Sequence, residues 1–322
     1  MHVEAFRQAG YEVAALVGRD LERTRAAARD AKVEGAFDSL AKAMKQCEPA
    51  VVSIAVPPAA QAGLACEAVR GGSHLFCEKP LATTVADARR IVETAKAHDR
   101  HGAVDFIFPE IPAWQKLKEL VQGGELGAVT KASVCWKVET RAARSKVVSW
   151  KNDTAQGGGV LFNFVPHTVH YLQWLFGPVT SVHALPVKNP AIKFIGTITF
   201  ASGLEVDVQV DSGAFMGLGH RLEIFAENGT AVLQNPTRDY VSGFTLEVAR
   251  RDAMRWESVM DKPGESAADG RITAVASILR RLRESILSGA KLRPSLLDGL
   301  EVQAVLHAFQ QSAAGSCAAS LP

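Results

Sequence analysis

The 322-residue chain carries almost no excess charge of either sign: 36 Lys plus Arg face 34 Asp plus Glu, a formal charge of +2. That balance provides no broad basic field for nucleic acid. No apolar run approaches the ~18 residues needed to span a bilayer, and no charged-then-apolar signal segment opens the chain, so no membrane partner is expected. Cysteine is scarce and odd in number. Cys47, Cys66, Cys77, Cys135 and Cys317 form no C-x-x-C pair, which argues against a disulfide framework or a zinc site. Reduced thiols, a cytoplasmic location and no metal are the expectation. Repeats and low-complexity tracts are absent too. The 47% hydrophobic and 22% charged residues exclude wholesale disorder, and the length suits two domains.

Short apolar strands alternate with helical patterns through the first hundred residues: strands at 12–17, 51–56, 74–77 and 103–106, helices at 21–31, 60–70 and 85–98. The near-continuous apolar run Val51–Val56, ended by Pro57-Pro58, reads as a strand buried on both faces. This alternation predicts a doubly wound parallel sheet. After a helix at 112–123 the period becomes two: Ala132, Val134, Trp136 and Val138 face one way, and 192–200 and 204–210 alternate as cleanly. Asn228-Gly229 marks a hairpin, and helices at 272–287 and 297–312 close the chain. The expected architecture is a Rossmann-like α/β domain over 1–107, then an α+β domain over 108–322 with an open, mainly antiparallel sheet. The polar off-face of 204–210, with Glu205, Asp207 and Gln209, is available for homo-oligomerisation.

Two segments bear chemistry. Cys77-Glu78-Lys79-Pro80 follows a predicted parallel strand at the carboxyl end where open α/β sheets bind ligands. Lys79 there is a point charge with donors for a substrate hydroxyl; Pro80 shapes the turn, in cis or trans. A surface lysine before a helix-starting proline is the plain alternative. Gly157-Gly158-Gly159 opens an apolar helical segment in which Asn163 and His167, four apart, share one face. His167 is placed to act as a general acid/base beside Asn163. A core histidine with a satisfied hydrogen bond is the alternative, and His167-x-x-His170 admits a metal reading without a third ligand.

Taken together, these stretches resemble the Gfo/Idh/MocA family, glucose–fructose oxidoreductase and inositol dehydrogenase among them. Gly71 to Pro80 is similar to its G-K-H-V-x-x-E-K-P segment, and Gly157 to His167 to its G-G-G-x-x-x-D-x-x-x-H segment. Val56-Pro57-Pro58, Gly123 to Gly127, Ala226 to Thr230 and Pro294 to Leu300 also fit. The resemblance implies an NAD(P)-dependent oxidoreductase of a sugar, polyol or related hydroxy compound. His167 would move the hydroxyl proton while Lys79 holds the same oxygen. Lys79, Asn163, His167 and Trp150 would meet the substrate; Gly18, Arg19, Asp20, Val56, Pro57, Glu78, Lys79 and Pro80 would line the cofactor. A dimer or tetramer through the C-terminal sheet is expected. A non-catalytic ligand or nucleotide sensor and an NAD-assisted glycosidase are the alternatives on the same fold.

Several positions depart from the family pattern. Met1-His2-Val3-Glu4-Ala5-Phe6 already reads as the helix after the family's first strand and G-x-G-x-x-G turn, so residues preceding Met1 are expected to supply both. Gly18-Arg19 stands where NAD-type members carry an acidic residue, which favours NADP over NAD because a guanidinium grips a 2′-phosphate. The alternative is a solvated Arg19, with Asp20 capping the next helix. Asn163 replaces an Asp, His170 an Asp, Pro109 an Arg and Gln61 a His. Arg141, Arg144, Lys146 and Lys151 form a basic stretch that is read chiefly as a solvated charge run.

Overall fold

A computed structural model describes residues 1–140, 143–144, 158–237, 239, 241–261, 269–315 and 317–321. The chain packs as two units, Met1–Asp105 with Arg271–Leu300, and Phe106–Gly270 with Glu301–Pro322. The expected segments were continuous, 1–107 and 108–322; the difference is that Arg271–Leu300 joins the first unit. Its contacts there are specific. The Tyr11 hydroxyl donates to the Leu279 carbonyl (3.2 Å), Arg280 donates to the Gln8 carbonyl (3.2 Å), and Ser285 Oγ lies 2.8 Å from His101 Nδ1. Ala103 also bridges Ser295.

In the first unit, α1 (His2–Gln8) precedes β1 (Ala15–Val17), α2 (Leu21–Asp30), β2 (Gly35–Phe37), α3 (Leu40–Cys47), β3 (Val51–Ile54), α4 (Pro58–Arg70), β4 (His74–Cys77), α5 (Val85–Ala97) and β5 (Gly102–Val104). All strand pairs are parallel, in two sheets ordered β1-β2 and β3-β4-β5. Side-chain caps start three helices: Asp20 accepts from the Arg23 N–H, Ser39 from that of Lys42 and Thr84 from that of Asp87. β4 has a neighbour on each edge, and Leu75, Phe76 and Cys77 are fully buried. Burial pushes the Cys77 thiol up to about 12, so it stays neutral. β3 corrects the expectation of two buried faces: Ile54 is buried but Val51, Val52 and Ser53 are half-buried. Its only strand neighbour among the described residues is β4.

Among the described residues, the second unit is built on nine strands: β6 (Val129–Lys137), β7 (Val179–Ala184), β8 (Lys193–Phe200), β9 (Glu205–Asp211), β10 (Gly219–Ala226), β11 (Gly229–Asn235), β12 (Thr245–Arg250), β13 (Trp256–Met260) and β14 (Ala319–Ser320). Their order is β13-β12-β11-β10-β6-β9-β8-β7-β14, antiparallel throughout except for β6 beside β9. Period-two patterning turns Val206, Val208 and Val210 inward and leaves Glu205, Asp207 and Gln209 exposed. Asp207 is met by Lys131 (3.4 Å) and the Thr197 hydroxyl (3.1 Å), so the outer face is laced by cross-strand polar pairs. The hairpin falls one residue early. Ala226 pairs with Gly229, which leaves Glu227-Asn228 as the turn and Gly229 inside β11. Glycine is needed there because a Cβ would come within 2.7 Å of the Ala249 carbonyl oxygen.

Helices α6 (Pro112–Gln122), α7 (Val160–Asn163) and α8 (Val165–Phe176) belong to this unit. Trp114, Leu117, Tyr171 and Leu172 are fully buried; each large side chain withdrawn from water contributes about 2–3 kcal/mol. Two long helices, α9 (Gly270–Ser288) and α10 (Leu296–Gly315), precede β14. Along α9, Val275, Leu279 and Leu282 are buried, while Ile272 and Ile286 are half-buried. No helix among the described residues is long and apolar enough to cross a membrane.

Candidate active site

In the first unit, strand register gathers the ligand-side segments. Ile54, Cys77 and Val104 are aligned across β3, β4 and β5. The residues after them therefore leave the sheet at one end: Val56 and Pro57, then Glu78, Lys79 and Pro80, then Asp105. Backbone bonds extend this alignment, from the Glu78 N–H to the Ile54 carbonyl (3.0 Å) and from the Asp105 N–H to the Cys77 carbonyl (2.9 Å). Gly18, Arg19 and Asp20 leave β1 at its own carboxyl end, where the Gly18 N–H bonds the Phe37 carbonyl.

The Lys79-Pro80 bond is cis. Lys79 is half-buried and Pro80 is buried. Buried Gln61 of α4 donates from Nε2 to the carbonyls of Glu78 (2.8 Å), Pro80 (2.9 Å) and Leu81 (2.9 Å). The Glu78 carboxylate accepts from the Lys79 N–H (3.3 Å) and lies 3.4 Å from His2 Nε2. Asp105 stands 3.7 Å from the same nitrogen, while His2 Nδ1 is 2.8 Å from Ser53 Oγ. Burial alone would lower the His2 pKa, but the combined pull of Asp105 and Glu78 raises it to about 9. Burial pushes Asp105 upward, as does the neighbouring Glu78 charge; burial also works against an ionised Glu78, yet His2 and Lys79 hold it low. One imidazolium therefore serves two carboxylates, and Asp105 is the one biased toward its proton.

Among the described residues, His2, Glu78 and Asp105 are the group whose donors could converge on a metal, all within 4.8 Å of one another. A protonated His2 already supplies positive charge there. Sequence reasoning did not single out His2 or Asp105 as site residues, and it noted Gln61 only as a departure from a histidine. An aspartate interrupting the apolar run Ala103–Phe106 was the available signal; nothing in the sequence marked His2.

The dinucleotide implied by the family is compatible with these residues. Three expected cofactor segments emerge from carboxyl ends of parallel strands, as dinucleotide sites require. Gly18 is constrained, since a Cβ there would meet Thr24 Oγ1 at 2.6 Å. The Asp20 carboxylate is engaged in capping α2, and Arg19 is exposed.

The second unit holds the other expected residues in a different medium. Asn163 ends α7 and His167 lies in α8, so they do not share one continuous helix as expected. Phe164 breaks the run with φ −116° and ψ −47°, followed by Pro166, which has no N–H to continue the ladder. Asn163 is half-buried and His167 is buried. The His167 ring is edge-on to Phe108 (5.1 Å) and Phe106 (6.2 Å), and His170 stacks on Phe106 at 4.1 Å and 9°. One turn on, the Tyr171 hydroxyl is 3.0 Å from Nε2 of His220, which stacks on Trp136 at 4.2 Å. Burial drives His220 down to about 3 and keeps it neutral. No third donor joins His167 and His170 in a metal cluster among the described residues. Trp150, Arg141, Lys146, Lys151 and Gly157 lie outside the described residues; Arg144 is exposed.

Comparison with known proteins adds a family to this geometry. Residues 1–106 match the family model described as "Oxidoreductase family, NAD-binding Rossmann fold", and residues 114–232 match the "GFO/IDH/MocA C-terminal domain". An uncharacterized oxidoreductase of Synechocystis sp. is 29% identical over 320 residues, covering 92% of this chain and 86% of that protein. An inositol 2-dehydrogenase of Burkholderia vietnamiensis is 27% identical over 248 residues, covering 72% and 65%. A solved levoglucosan dehydrogenase, in complex with NADH and levoglucosan, superposes with a TM-score of 0.87 at 21% identity, covering 100% of this chain and 95% of that one; this last likeness concerns the fold.

Proposed function

Because the chain belongs to the GFO/IDH/MocA family of NAD-binding oxidoreductases, we propose that it transfers a hydride between a nicotinamide dinucleotide and a hydroxyl-bearing carbon of a sugar or polyol. Relatives named for inositol and levoglucosan support that substrate class. The bound nicotinamide supplies the hydride acceptor or donor. His167 takes the hydroxyl proton during oxidation and returns it during reduction, while the Lys79 ammonium donates to the same oxygen and stabilises its developing charge. Asn163 and Trp150 orient the substrate. Gly18, Arg19, Asp20, Val56, Pro57, Glu78, Lys79 and Pro80 hold the cofactor. The observation carrying this reading is the Glu78-Lys79-Pro80 turn at the carboxyl end of β4, aligned with the segments that leave β3 and β5.

NADP is the preferred cofactor on this reading. Gly18 offers no carboxylate for ribose hydroxyls, Asp20 is engaged in its cap, and exposed Arg19 can pair a 2′-phosphate. The protein is cytoplasmic, in keeping with its five free cysteines. It assembles as a dimer or tetramer through the polar face of the nine-stranded sheet. The test is turnover over a panel of sugars and polyols with NADP(H) and NAD(H). Activity with at least one of them is expected, with about a tenfold preference for NADP that Arg19→Ala abolishes. An inert protein across the panel would reject the dehydrogenase reading, and an NAD preference would reject the role of Arg19.

A further inference from the structure

We infer that Gln61 is a positioning residue for Lys79, its side-chain amide fixing the backbone from which the ammonium projects. The inference rests on the reading of Lys79 as a group acting on the substrate oxygen. The carbonyls of Glu78, Pro80 and Leu81 lie between β4 and α5, outside any strand or helix, so no regular ladder supplies their donors. One nitrogen meets all three, at 2.8, 2.9 and 2.9 Å. An amide has two N–H groups, so the three acceptors share them and tie residues 78, 80 and 81 to one point of α4.

The amide orientation is determined by this set. Reversed, Oε1 would confront three carbonyl oxygens, a repulsive arrangement. Gln61 is 1% exposed, and its Oε1 has no hydrogen-bond partner among the described residues. A buried position that served packing alone would favour an apolar side chain of similar volume, because an unpaired amide oxygen is costly. What the amide gains in return is the turn. The same turn is also held through the Glu78 carboxylate, which meets His2 and the Lys79 N–H. Lys79 thus departs from a backbone held by α4 and by α1, and a displacement of about 1 Å at a reacting group costs about a hundredfold in rate.

The test is a double-mutant cycle on kcat with the sugar or polyol that is turned over, using Gln61→Met and Lys79→Ala. Gln61→Met should lower kcat about a hundredfold while KM stays within about twofold. In the Lys79→Ala background the same change should cost less than about twofold, because the group it positions is gone. Equal losses in both backgrounds, or no loss in the native chain, would overturn the inference. Undiminished turnover in Lys79→Ala itself would reject the underlying role of Lys79, and the inference with it.

Should Gln61→Met fail to fold, Gln61→Glu keeps the question answerable. A protonated carboxyl can donate to the carbonyls and a carboxylate cannot, so its kcat relative to native should fall as pH rises through the carboxyl's ionisation. A flat ratio would contradict the proposal. A readout without turnover is the 13C signal of reductively dimethylated Lys79 in the cofactor-free chain. Its titration midpoint should move in the Gln61 variant; an unmoved midpoint would count against positioning.

Discussion

Lys79 and His167 are presented by opposite means. The lysine leaves a turn whose neighbours are polar and charged: one amide gathers three carbonyls, and an imidazolium is shared by two carboxylates. The histidine lies in a helix against aromatic rings, edge-on to Phe106 and Phe108, one turn from a neutral Tyr171–His220 pair. The two surroundings differ in kind: the turn at Lys79 is charged and hydrogen-bonded, while aromatic rings form an apolar wall beside His167. The first region should respond to pH and to loss of single hydrogen bonds, the second to loss of volume.

The largest expected effect lies in the reaction itself. Lys79→Ala and His167→Gln should each lower kcat about a thousandfold while the fold persists, measured as turnover beside circular dichroism. Loss of folding with loss of activity would remove the distinction between chemistry and scaffold. Next comes the aromatic region. Phe108→Ala empties a fully buried site shared by Trp114, Trp136, Tyr171 and His220, and should cost about 3–5 kcal/mol in denaturant unfolding at every pH.

The polar region should instead show a pH signature. The His2 pKa is raised on folding from 6.5 to about 9. Its stabilising contribution is therefore complete below about 6.5 and is lost as pH climbs through about 9. His2→Gln should remove on the order of 2 kcal/mol at pH 6 and little at pH 10, read from unfolding curves at both. Equal losses would mean that packing against Phe76, not charge, accounts for His2. The smallest effect is Thr84→Ala, which deletes the cap of the helix after the turn. It should cost about 1 kcal/mol and leave kcat within twofold, because it touches no carbonyl that Gln61 holds.

Legibility in the sequence divides along similar lines. β4 at His74–Cys77 stands as the pattern indicates, since local hydrophobicity determines it. The switch from parallel alternation to period-two strands likewise places the two sheet types correctly. Features set by distant partners were hidden. Gly229 resembles a turn glycine until Ala249 is seen against it, and the half-burial of β3 follows from its neighbours, not its composition. The return of Arg271–Leu300 to the first unit depends on single contacts such as Tyr11 with Leu279. At the site, Glu78-Lys79-Pro80 was legible as a motif, while its supports, Gln61 and His2, come from other elements. The break at Phe164 had a visible cause in Pro166, outweighed in the reading by the four-residue spacing of Asn163 and His167.

We propose, as the central claim, that Lys79 and His167 serve one reaction step. It is tested most directly by the hydride-transfer rate of the Lys79→Ala, His167→Gln double variant against the two single variants. If both groups act on the same oxygen, the double variant should be no more than about tenfold slower than the worse single variant, because residues acting as a unit lose their effect together. Losses that multiply to about a millionfold would mean two independent contributions, and full activity in either single variant would remove that residue from the reaction altogether.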